Sequence, residues 1–155
     1  MGKKNEIIEE LRAVYDGEAW HADNLKEILR GITAEKAGRR PIDGAHTIWE
    51  VAAHMAAWNN VWSARLTGRN ILEPPEGDFP ALGDTDEDWA AALEHLEHSH
   101  IRLIEKIGKV RDEDMDRKFM DKGYTLEFFL RGIIRHTVYH SGQIAVLRKA
   151  EFLQG

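Results

Sequence analysis

The sequence predicts an all-α protein, a four-helix bundle with a long crossover between helices 2 and 3. Apolar residues recur at alternating steps of three and four along four stretches, which is the period of one buried helix face. The alternation by two that marks a half-buried strand persists nowhere. A chain of 155 residues has room for four amphipathic helices, and packing their stripes against one another is the simplest way to bury them. At this length roughly 68 to 70 percent of the unfolded surface can be buried, so one domain over residues 1–155 with its own core is expected.

The first helix is expected from Asn5 to Arg30. Ile7, Leu11, Val14, Leu25 and Ile28 keep the rhythm, Glu18 and His21 fill the intermediate inward positions, and Gly31 is placed to end the helix in a left-handed conformation. The segment from Thr33 to His46, with Gly38, Pro41 and Gly44, reads as a connector holding at most one short helical turn. Thr47 and Glu50 form a capping box, so the second helix opens near Ile48 with Val51, His54, Trp58, Val61 and Arg65 on its inner face. From Gly68 to Asp84 the chain carries Pro74, Pro75 and Pro80 with Gly77 and Gly83, too long a stretch for a tight hairpin, and this is the crossover.

A third helix follows Thr85, with Asp88 as its capping partner and Trp89, Leu93, Leu96, His100, Leu103 and Ile107 facing inward; His95 and His98 fall on the solvent side. Gly108 to Gly123 is a charged connector with one turn near Asp112 to Met115. The fourth helix opens near Thr125, and its inner face reads Phe129, Ile133, His136, His140, Gln143 and Leu147.

Composition removes several classes of function. There is no cysteine, which excludes disulfides, thiolate metal sites and a cysteine nucleophile. No run approaches the ~18 apolar residues of a membrane span, and the N-terminus has no apolar leader segment; a soluble, cytoplasmic protein is expected. The net charge of −6, spread over mixed-sign helices, opposes nucleic-acid binding, which needs a basic face to neutralise phosphates.

Three inward histidines stand out: His54 in the second helix and His136 with His140, one turn apart, in the fourth. Imidazoles placed where Leu or Ile would pack need partners, because an unsatisfied buried polar group costs about 1 to 3 kcal/mol. Hydrogen-bonded core histidines are one solution. A shared divalent cation is another, and it satisfies all three rings together. Three nitrogen ligands leave a fourth position open, the arrangement of a catalytic zinc site. Nitrogen donors also suit nickel, copper and iron; zinc and nickel are the leading candidates. Glu18, His21, His100 and Gln143 are second-tier candidates for a fourth ligand, a residue orienting a ligand, or a general base. Trp58, one turn beyond His54, is a candidate pocket wall, whereas Trp49 and Trp62 read as packing residues.

The stretch HTIWEVAAHMAAWNNVWSARL, followed far downstream by RHTVYHSGQIAVLRK, resembles the DinB/YfiT-like superfamily, a damage-inducible bacterial protein family. The likeness covers nearly the whole chain, including Trp20 and His21. It implies that His54, His136 and His140 are the metal ligands of a four-helix bundle with an up-down-down-up course, often a homodimer. It also implies a small-molecule substrate, with chemistry like that of metal-dependent S-transferases using low-molecular-weight thiols. Metal-dependent hydrolysis and a non-enzymatic, metal-stabilised interaction module are the alternatives.

Overall fold

The computed structural model describes residues 2–153. Among them the backbone is helical with turns and loops and holds no strand, as expected of an all-α chain. Six helices follow one another: α1 (Lys3–Tyr15), α2 (Leu25–Leu29), α3 (Ala34–Gly38), α4 (Ile48–Arg65), α5 (Asp86–Gly108) and α6 (Leu126–Leu153), with a 3-10 turn over Asp112–Asp114. No helix among the described residues is long and apolar enough to cross a membrane.

The helix starts follow local chemistry. Thr47 Oγ1 accepts from the Glu50 N–H at 3.1 Å while a Glu50 carboxylate oxygen accepts from the Thr47 N–H at 2.7 Å, so two otherwise orphaned donors are satisfied at the start of α4. Thr85 and Asp88 repeat the device at the start of α5. The short connector turn is realised as α3, with the Thr33 hydroxyl accepting from Lys36 N–H.

One expectation fails. The first helix does not run from Asn5 to Arg30: it stops at Tyr15, and residues 16–24 form a turn and loop before α2. Asp16 and Gly17 both donate to the Arg12 carbonyl, closing α1. Asn24 then starts α2 with a capping box of its own, its Oδ1 accepting from Glu27 N–H at 2.9 Å and its N–H donating to Glu27 Oε2 at 3.1 Å. The Asn24 amide also donates to the Gly17 carbonyl at 2.8 Å, which fastens the two edges of the break together. Glu18 and His21 therefore do not face inward; both lie exposed in this loop, beside a Trp20 that is wholly exposed. Gly31 does adopt a positive φ of 74°, but it follows α2 and not one long helix.

The principal packings place α4 against α5 and α6, and α1 against the same two helices, while α2 covers α6 and α3 covers α4 and α5. Apolar side chains divide into two clusters. One gathers Trp49, Ala52, Met55, Leu96, Ile144 and Leu147; the other gathers Ile7, Val61, Leu103, Leu130 and Ile133. Buried polar residues, among them Asn59 on α4, Ser99 and His100 on α5, and Thr137, His140 and Ser141 on α6, lie between the two clusters along those helices. His54 is buried among residues of the first cluster, and His136 is half-buried one turn before His140.

Candidate metal centre

The capping box at Thr47 fixes the start of α4, and two turns later His54 points inward, buried to 7 % exposure. On α6, His136 and His140 lie one turn apart on the face that meets α4. The result is a tight convergence of the same atom from each ring. His54 Nε2 lies 3.2 Å from His136 Nε2 and 3.1 Å from His140 Nε2, and one ligand atom from each of the three lies within 4.8 Å of the others.

The opposite ring nitrogens determine what those Nε2 atoms carry. His54 Nδ1 donates to the backbone carbonyl of Asp78 at 2.8 Å, and an Asp78 carboxylate oxygen lies 3.1 Å from the same nitrogen. His140 Nδ1 donates to Gln143 Oε1 at 2.5 Å. A neutral imidazole has one N–H; in that form these acceptors take the Nδ1 proton of each ring and leave its Nε2 lone pair bare. Two bare lone pairs facing at 3.1 Å cannot hydrogen-bond to each other, and buried acceptors without a donor are costly. A cation resolves the conflict. Tetrahedral Zn–N bonds of about 2.0–2.1 Å put neighbouring ligand nitrogens roughly 3.3–3.4 Å apart, close to the separations seen here. The three histidines can hold a divalent cation.

Electrostatics agree with geometry. Burial, reinforced by His140 and His54, pushes the His136 pKa down to about 3. Burial also lowers that of His140, partly offset by its bond to Gln143. Both rings are therefore neutral near pH 7, the form in which imidazole ligates metals.

The crossover loop closes over this cluster. Phe79 is sandwiched between two imidazoles, 4.6 Å from His54 at 18° and 3.6 Å from His46 at 13° between planes. Asp78 also accepts from the Trp58 indole N–H at 2.7 Å, and the Trp58 ring lies 6.3 Å from that of His54. Trp58 thus stands beside the cluster, as the sequence suggested. Trp62, read as a packing residue, meets the His136 ring edge-on at 4.7 Å and 90°, so it walls the site as well.

Of the second-tier candidates, Gln143 alone reaches the cluster, and it orients a ring without offering a ligand atom of its own. Glu18 and His21 are exposed in the loop after α1. His100 is buried, but against α1: it stacks on Tyr15 with centroids 4.0 Å apart and planes 9° apart, and burial depresses its pKa to about 4. Asp78 and Phe79 were not identified from sequence, because a loop contact has no periodicity to betray it. Trp62 had a usable signal, lying two turns beyond His54 on one helix face.

A bound divalent cation with three nitrogen donors would keep an open position for a thiolate, a hydroxide or a carbonyl oxygen. Comparison with known proteins finds that the family model described as DinB superfamily matches residues 19–144. Neither among curated proteins nor among solved structures does anything match.

Proposed function

Because the chain belongs to the DinB superfamily, we propose that His54, His136 and His140 hold one divalent cation, zinc or nickel, and that the protein transfers a low-molecular-weight thiol to a small electrophile. The observation supporting the cation is the facing pair of bare Nε2 lone pairs at 3.1 Å, with both Nδ1 protons already committed. The thiol comes from a co-substrate, since the chain has no cysteine of its own. When bound, a divalent cation lowers the pKa of a ligating thiol or water into the neutral range.

The residues of the chain do the rest. Asp78 and Gln143 lock the tautomers of His54 and His140, so that the Nε2 atoms stay aimed at one point. Phe79, Trp58 and Trp62 surround the imidazoles with aromatic surface, which limits water and favours the apolar part of a substrate. In the reaction, the thiol proton leaves to solvent, the sulfur lone pair forms a C–S bond to the electrophilic carbon, and the leaving group departs with its bonding electrons. An up-down-down-up four-helix course, a single domain and a homodimer belong to the same reading; the packing of α4 and α1 each against α5 and α6 supports the first.

Metal analysis of protein purified without a histidine tag tests the cation. We expect about one equivalent, lost in His136→Ala; well under one equivalent, unchanged by that substitution, would overturn the reading. Added thiol should then shift the visible spectrum of the cobalt-substituted protein. An unmoved spectrum would count against the thiol, and chelator-sensitive ester cleavage without thiol would assign hydrolysis instead.

A further inference from the structure

Beside the histidine cluster lies a cavity of about 510 Å³, between the connector ahead of α4 and the C-terminal half of α6. Its size falls within the range of about 300–1,000 Å³ typical of small-molecule sites. Ile42, Ala45, Val51, Val146 and Leu147 make its walls apolar, and two polar side chains, His46 and Gln143, enter it.

Each polar side chain is half committed. Gln143 Oε1 accepts from His140 Nδ1, and among the described residues its amide NH₂ meets no acceptor. His46 Nδ1 pairs with a Glu50 carboxylate oxygen at 3.2 Å, and in the neutral ring with its proton on that nitrogen Nε2 is an acceptor. One donor and one acceptor on an apolar wall match a carboxamide carrying a hydrocarbon body.

A third observation concerns Gly142, which lines the same cavity inside α6. Glycine in a helix interior lowers helix stability relative to alanine, and such a glycine usually admits a close neighbour. Here a Cβ would meet no atom within 4 Å. A side chain at this position would project into open space on the cavity wall.

We infer that this cavity is a binding site for a neutral, apolar carboxamide, distinct from the open position at the three histidines and coupled to them through Gln143. An acceptor on the ligand that takes the Gln143 N–H polarises the amide group and makes Oε1 a better acceptor for His140 Nδ1–H. Occupancy is thereby transmitted to a candidate metal ligand.

The test uses the full chain, metal-free and in chelator, with hexanamide as the probe and acetamide as the control without a hydrocarbon body. Hexanamide should shift the backbone amide resonances of Gly44, Gly142 and Val146 saturably and move the His140 Nδ1 resonance, while acetamide leaves both in place. Val146→Glu and Gly142→Leu should each weaken binding at least tenfold; Val146 is 57 % exposed and the Gly142 Cβ is unobstructed, so both variants fold. Gln143→Leu should abolish the His140 response. No saturable shift, shifts scattered over the surface, or wild-type affinity in Val146→Glu would overturn the inference. So would conversion of a dimer to a monomer by Val146→Glu in sedimentation, since a second copy would then fill the cavity. None of these readouts uses metal, so the inference and the metal reading fail separately.

Discussion

Protonation at single nitrogens decides what the site is. Had only one of His54 and His140 carried its proton on Nε2, that N–H would have donated to the bare Nε2 of the other, and the pair would have been hydrogen-bonded core residues of the ordinary kind. Asp78 and Gln143 place the protons on the far side instead. Groups that orient a ligand in this way are typically worth 10- to 100-fold in metal affinity. Gln143→Leu should therefore weaken zinc binding by about that factor in a competition titration against a chromophoric chelator, with far-ultraviolet circular dichroism unchanged. Unaltered affinity would mean that the Gln143 bond does not fix the His140 tautomer. At this scale the sequence was legible where a helical period carried it, at His54, His136 and His140, and misleading at Glu18 and His21. Those two positions fitted the period of a helix that stops before reaching them.

The helices explain both outcomes. A capping box is a local device, readable from four residues, and it located the starts of α4 and α5 correctly. The same device with asparagine, Asn24 and Glu27, marks the start of α2 and hence the break that the apolar rhythm bridged over. Because α4 carries His54, its N-terminal lock has a measurable weight. Thr47→Ala removes the acceptor for Glu50 N–H and should cost about 1 kcal/mol, read as a lower urea midpoint with an unchanged slope. The crossover loop answers to different forces. Arg65 donates to the carbonyls of Ile71 and Leu72, each at 2.7 Å, and Asp78 and Phe79 are held by the histidines they cover. Every one of these contacts joins the loop to α4 or to the connector before it.

For the molecule as a whole, a polar layer set between two apolar clusters makes stability depend on pH. His100 belongs to that layer. The charges bearing on it are Asp16 and Arg12 from the α1 side and Glu97 on its own helix, but burial outweighs them and lowers its pKa from 6.5 to about 4. The fold thus favours the neutral ring, and the unfolded chain binds the extra proton between those two values. The stabilisation is complete above pH 6.5, is lost progressively as the pH falls toward 4, and amounts to at most about 3 kcal/mol. In metal-free protein the depressed His136 and His140 act in the same direction. Urea unfolding in chelator from pH 7.5 to 4 should show this loss, and His100→Phe, which keeps a ring against Tyr15, should make the dependence shallower. An identical slope in the variant would show that the ring titrates normally.

The division between what was determined locally and what was not follows from these cases. Helix class, most helix starts and the inward direction of three histidines came from the sequence by itself, because the period of a buried face and the chemistry of a cap are written within a few neighbouring residues. Tertiary structure alone decided that His54 Nε2 comes within 3.2 Å of both His136 Nε2 and His140 Nε2, that the crossover supplies Asp78 and Phe79, and that α1 ends early. Those outcomes depend on contacts between segments far apart in the chain, and an apolar rhythm records which side of a helix is buried without recording what lies on the other side of the interface.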